Sequence, residues 1–161
     1  MKHTAFTLIL VVVTATTAFA NQSQVEKSLQ GLSEVKIVCD VNVGDPELLL
    51  SRMYLLDETY SQLLDRNIRP VIVVAFRGKA SKFITAGEKY VAPENRKTQM
   101  DMKRRVTHFA EMGFTLEQCA FAAKVLKLDT ADFLPQVTVV ENGFLSIVGY
   151  QNQGYALLPM D

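Results

Sequence analysis

Val71-Ile72-Val73-Val74 is an uninterrupted apolar run set between two stretches of helical periodicity. A run of that kind marks a strand covered on both faces. Its surroundings repeat the same alternation. Val35 to Val41 is a short run rich in Val and Ile, and Asn42-Val43-Gly44-Asp45-Pro46 follows it with turn chemistry. Asp45 is placed to cap a helix whose first residue is Pro46. Leu49, Met53, Leu56, Tyr60 and Leu63 then recur at steps of four and three, which puts one apolar stripe on a helix ending near Asn67.

The strand Pro70 to Phe76 is broken by Arg77-Gly78-Lys79. A second helix is predicted from Asn95 to Met112, with Met102, Val106 and Phe109 inward and Gly113 as its stop. A strand over Phe114 to Gln118, a short helix to about Leu128, a strand over Val137 to Val140, a helix from Asn142 and a closing strand from Tyr155 to Leu158 complete the reading. This alternation predicts a doubly wound α/β fold: a mostly parallel sheet of about five strands, with right-handed crossovers and helices on both faces.

Residues 1–20 read as an export signal. Lys2 and His3 precede the apolar stretch Phe6 to Val13, and Ala18-Phe19-Ala20 supplies a small-x-small cleavage site. The apolar core is far short of the roughly 20 residues of a spanning helix. Asn21 stands where a lipoprotein would carry its lipidated cysteine, so neither a membrane anchor nor a lipid anchor is expected after cleavage. The expected location is the periplasm. Residues 21–33 read as a flexible leader and 34–161 as one domain, large enough to bury about two-thirds of its unfolded surface.

The whole chain carries 17 basic and 17 acidic residues, and this balance gives no sign of nucleic-acid binding. Charge is unevenly placed, however: Arg77 to Arg105 holds nine basic residues against Glu88, Glu94 and Asp101. Such a stretch is either a solvated helix face or a surface that attracts anions. No glycine-rich dinucleotide fingerprint, phosphate-binding loop or His-Glu-x-x-His is present, so no cofactor and no metal is expected. His108 lies inside the second helix beside Phe109, and its reading is a surface or interface histidine rather than a catalytic base.

In parallel sheets chemistry gathers at the carboxyl ends of the strands. Three segments reach that edge: Asn42 to Asp45, Arg77 to Lys79, and Cys119. The candidate binding groups are therefore Asn42, Asp45, Arg77, Gly78 and Lys79, and the candidate catalytic group is Cys119. Cys119 stands where a strand meets a helix, and a helix N-terminus with nearby cations favours a thiolate. The apolar Ala120-Phe121-Ala122-Ala123 behind it works the other way. Cys39, mid-strand between Val38 and Asp40, reads as a buried structural thiol. Export would permit a Cys39–Cys119 disulfide, but a mid-strand and a strand-end position disfavour the required approach. The two cysteines form no Cys-x-x-Cys pair, which disfavours thioredoxin-like chemistry.

Val35-Lys36-Ile37-Val38-Cys39-Asp40-Val41, the Val71 to Gly78 strand and turn, and Gly113 through Cys119 resemble the DsrE/DsrF-like sulfur-relay family. Asp132-Phe133-Leu134-Pro135, Asn142-Gly143 and Gln151-Asn152-Gln153-Gly154-Tyr155-Ala156 resemble the closing segments of its exported, single-domain members. The resemblance spans about Val35 to Pro159. It implies a flavodoxin-like fold, a homo-oligomer, and a cysteine that accepts sulfur as a persulfide and passes it on, at the position of Cys119. The partners implied are a sulfur donor and an acceptor, each a protein or a small sulfur compound. The protein would then be a sulfurtransferase or sulfur carrier, or, in the alternative, a non-catalytic binding or assembly module in which Cys119 only packs.

Overall fold

The computed structural model describes residues 27–161. The predicted export segment and residues 21–26 of the leader lie outside the described residues. Within Gly31–Asp161 the order is β1 (Glu34–Val41), α1 (Pro46–Asp65), β2 (Arg69–Phe76), a 3-10 helix (Gly78–Ile84), a 3-10 turn (Pro93–Asn95) and α2 (Arg96–Glu111). It continues with β3 (Thr115–Cys119), α3 (Ala120–Val125), a 3-10 turn (Thr130–Asp132), β4 (Thr138–Val140), α4 (Gly143–Asn152) and β5 (Ala156–Pro159). No helix among the described residues is long and apolar enough to cross a membrane.

The sheet is parallel throughout, in the order β4-β3-β2-β1-β5. From β1 the chain steps outward through β2 and β3 to β4, always in one direction. Right-handed crossovers therefore put α1, α2 and α3 on a single face. The return from β4 to β5 reverses direction and carries α4 to the other face. The packing agrees: Leu49, Met53 and Leu56 of α1, Met102, Val106 and Phe109 of α2 and Ala123 of α3 share one core with Cys39, Val74, Phe76 and Leu116. Ile147 of α4 packs with Val38, Val73 and Ala75 in a smaller cluster bordered by Tyr150 and Tyr155. The expected two-sided covering is thus lopsided, with three helices against one.

Local chemistry fixes the helix ends. Asp45 caps α1, its carboxylate accepting from the Leu48 N–H at 2.8 Å, and Pro46 follows at the first helical position. Gly113, at φ +83°, stops α2 after the Met112 cap, the left-handed conformation that glycine adopts without strain. The predicted strand at Phe114 to Gln118 and the closing strand at Tyr155 to Leu158 each sit one residue later. The second helix is preceded by its own 3-10 turn at Pro93–Asn95 rather than starting at Asn95. The 3-10 helix over Gly78–Ile84 was not anticipated. It buries Ala80, Ser81, Phe83 and Ile84 over the end of β2.

The loop after that helix is clipped to α2 by Gln99. Its buried amide donates to the Thr85 hydroxyl at 3.0 Å and the Gly87 carbonyl at 2.8 Å. Lys103 Nζ donates to the Ala86 carbonyl at 2.6 Å. Much of the basic stretch from Arg77 to Arg105 is consumed in such internal contacts. Arg77 pairs with Asp40, Lys89 with Asp132, Arg96 with Glu88, Arg104 with Asp101 and Arg105 with Asp57. His108 lies on the surface with Nε2 3.4 Å from Asp57.

Candidate functional site at the carboxyl edge of the sheet

Cys119 closes β3 and caps α3 at once. Its Sγ accepts from the Ala122 N–H at 3.4 Å, an arrangement that suits an anionic sulfur. The residue is only 5% exposed, because the first turn of α4 lies against it. A Cβ on Gly143 would stand 3.0 Å from Cys119 Cβ and 3.5 Å from Sγ. Asn142 holds that turn by accepting from the Phe144 N–H at 3.0 Å. The start of α3 is tied in by the Phe121 N–H, which donates to the Glu141 carbonyl at 3.3 Å. Two helix beginnings therefore meet at this sulfur.

Cys39 occupies a different environment. It is paired in register with Val74, which is paired with Leu116, all within the large core. Burial pushes its thiol up to about 12, so at neutral pH it stays protonated. Both cysteines are free. Side chains alternate along a strand. Cys119 contacts α4 on one face of the sheet while Cys39 packs under α1 to α3 on the other, which explains why no bridge forms.

Arg77 is one residue past Phe76, as Cys119 is one past Gln118, and Phe76 and Gln118 are paired in register. Its guanidinium makes a two-pronged contact with Asp40, at 2.5 Å from each oxygen, and lies 4.7 Å over the Phe144 ring. Its charge is therefore matched by a carboxylate, and it reaches the neighbourhood of Cys119 through the α4 turn that covers the sulfur. Gly78, at φ +54°, sits on Asn42: a Cβ there would meet the Asn42 carbonyl oxygen at 3.0 Å. Lys79 is exposed, with its stem across Gly44. Asn42, Arg77, Gly78 and Lys79 thus gather at the edge of β1 and β2, whereas Asp45 is occupied in capping α1.

Sequence reasoning missed Glu117. It lies two residues before Cys119 on the same face, is 7% exposed, and accepts from the Ser146 and Tyr150 hydroxyls of α4, the latter at 2.8 Å. Burial, then the Glu117 carboxylate, raises the Tyr150 phenol to about 12. A glutamate between Leu116 and Gln118, inside the predicted strand Phe114 to Gln118, was the available signal. Among the described residues no group of three or more His, Cys, Asp or Glu could hold a metal. The large surface groove of about 650 Å³ beside α1, lined by Leu50, Tyr54, Asp57 and Thr98, does not include Cys119.

The chain is 25% identical over 128 residues to an uncharacterized protein of Aquifex aeolicus (strain VF5), a match covering 79% of this chain and 56% of that relative. It thus spans little more than half the length of the curated relative. Its fold is similar to that of MTH1491 from Methanobacterium thermoautotrophicum, a solved protein of unknown function. The TM-score is 0.59 at 20% identity, over 78% of this chain and 98% of the other. The family model for the DsrE/DsrF-like family matches residues 51–160, which takes in β2 and its Arg77-Gly78-Lys79 turn, Cys119, and the α4 turn that covers it. With most of the chain matched, from α1 to β5, the protein belongs to the DsrE/DsrF-like family, one generally linked to sulfur relay.

Proposed function

We propose that the protein is a periplasmic sulfur carrier, exported through a cleaved signal, which holds sulfane sulfur as a persulfide on Cys119. The observation that carries this reading is the placement of Cys119: at the carboxyl end of a parallel strand, with a backbone N–H directed at Sγ and a helix beginning on either side. In the first step the Cys119 thiolate attacks the outer sulfur of a donor persulfide, R–S–SH. The donor S–S bond breaks, R–S⁻ leaves with the electron pair, and Cys119–S–SH remains. An acceptor thiolate then attacks that outer sulfur and releases Cys119 as a thiolate, so no net oxidation occurs. Donor and acceptor are a thiol protein or a small sulfur compound.

Access requires the first turn of α4 to yield, since Gly143 lies on the sulfur. At neutral pH, iodoacetamide should label Cys119 well before Cys39. Incubation with a sulfane-sulfur donor should add one sulfur atom to the Cys119 peptide, read by mass spectrometry. Equal, slow labelling of both cysteines with no adduct would sink the proposal.

The burial of Cys119 supports a second reading, in which the protein is a homo-oligomeric binding or assembly module and the thiol only packs. Phe121 and Val125 on α3 and Phe144, Leu145 and Val148 on α4 are all exposed, Leu145 at 69%. Exposed apolar side chains of that kind are suited to burial against further subunits. Under this reading Cys119→Ser is silent in every binding assay, while Leu145→Asp with Val148→Asp lowers the mass measured by light scattering. A mass unchanged by the aspartates would discard it.

A further inference from the structure

A second feature of the same sheet edge concerns charge rather than sulfur. A cavity of about 160 Å³ opens between the turn after β1 and the 3-10 helix after β2, lined by Gly44, Lys79, Lys82, Tyr90, Ala92 and Asn95 among others. None of its lining residues is acidic. Lys79 and Lys82 are three apart in the 3-10 helix Gly78–Ile84, and at three residues per turn such side chains eclipse one another. Two cationic side chains thus leave one side of a short helix, and both line the cavity.

Neither lysine has an ion-pair or hydrogen-bond partner among the described residues, although Lys82 is half-buried. Three nearby cations are matched: Lys89 by Asp132, Arg96 by Glu88 and Lys103 by the Ala86 carbonyl. Gly44 helps set the arrangement. A Cβ there would fall 2.6 Å from both Cβ and Cδ of Lys79, so only glycine lets the lysine stem cross the turn as it does. On the opposite wall Asn95 makes no side-chain capping bond to α2, whose first turn holds no acidic residue. The Tyr90 hydroxyl, by contrast, is occupied, donating to Asp132 at 2.6 Å and accepting from the Asp129 N–H.

We propose that this cavity binds one inorganic tetrahedral oxyanion of the phosphate, sulfate or thiosulfate class, clamped between Lys79 and Lys82, with the Asn95 amide as a neutral donor. The cavity is of a size for one such ion. An anion there answers both lysines and the positive end of α2. The site does not depend on thiol chemistry at Cys119, which is not among its lining residues.

The test is an ¹⁵N–¹H titration of the full chain with inorganic phosphate and with thiosulfate, each against sodium chloride at matched ionic strength. Saturable shifts at the Gly44, Ala92 and Asn95 amides are expected with the oxyanions and not with chloride. Lys79→Ala with Lys82→Ala should weaken the affinity at least tenfold, and Gly44→Ala should weaken it as well. Equal shifts in chloride, or unchanged saturation in the double lysine variant, would overturn the site. Tighter binding of phenyl phosphate than of phosphate would overturn the free-ion assignment. Cys119→Ser should bind phosphate normally, so loss of sulfur loading in that variant and loss of anion binding in the lysine variant report on separate proposals.

Discussion

The two faces of the sheet are built to different standards. Under α1, α2 and α3 the strands present Cys39, Val41, Ile72, Val74, Phe76 and Leu116 to a continuous apolar core, with Phe109 and Phe114 stacked at 4.8 Å. Under α4 the apolar cluster is small, and the next register row runs Asp40, Ala75, Glu117, Thr138. Arg77 and Cys119 follow at the edge. Because side chains alternate with period two, one set of strands can devote one face to stability and the other to polar and sulfur-bearing groups.

Core truncation should expose this difference most strongly. Phe109→Ala on the thick face should cost about 3–5 kcal/mol in urea unfolding, and Ile147→Ala on the thin face about 2 kcal/mol, the low end for such a change. Equal losses would mean that the faces are energetically equivalent. Next in size, Glu117→Ala leaves the Ser146 and Tyr150 hydroxyls without their acceptor and should cost about 1–3 kcal/mol. Glu117→Gln, which keeps an acceptor, should cost less. A Gln variant as unstable as the Ala variant would show that the carboxylate's charge, not its hydrogen bonds, supports the thin face.

Gly143→Ala should be milder, roughly 1 kcal/mol, because only a few tenths of an ångström separate its Cβ from ordinary contact with Cys119. Its diagnostic effect is on access: iodoacetamide labelling of Cys119 should speed up severalfold while Cys39 is unaffected. The last effect is at high pH. Burial and Glu117 raise Tyr150 from 10.0 to about 12, so the folded state holds that proton more tightly than the unfolded chain does. The associated stability is full below pH 10 and is lost as pH rises through about 12. Absorbance titration should show one tyrosine ionising late, and Tyr150→Phe should remove it.

Features governed by neighbouring residues were legible in the sequence. Asp45-Pro46 announces the start of α1, Gly113 the end of α2, and the Val71 to Val74 run a central strand, since each follows from local backbone preference. The 3-10 helix at Gly78–Ile84 was not legible, because it lacks a 3.6-residue period and is held by contacts from Gln99 and Gln118. Charge patterning was only partly informative for a related reason. Arg105 meets Asp57 across 48 positions and Arg77 meets Asp40 across 37, so a stretch that looks strongly basic along the chain is largely neutralised in space. The edge position of Cys119 could be read from the strand and helix pattern. Its cover by Gly143 could not, because that depends on α4 crossing to the opposite face, a consequence of strand order.

That strand order also governs when the molecule can close. β5 pairs with β1, Ile37 beside Ala156 and Asp40 beside Pro159, so the first strand waits for a partner from the far end of the chain. The Met160 N–H then donates to the Asp40 carbonyl at 3.1 Å, and the Asp161 carbonyl accepts from Arg52 at 3.0 Å. A growing polypeptide can assemble β1 through β4 with their three helices from sequence-near contacts alone. The outer edge of β1 stays open until the closing residues arrive, and an open edge is a template for pairing with other chains. Residues 156–161 therefore work as a latch, and a chain lacking them would lose Met160 and Leu158 from the large core and carry a sticky border.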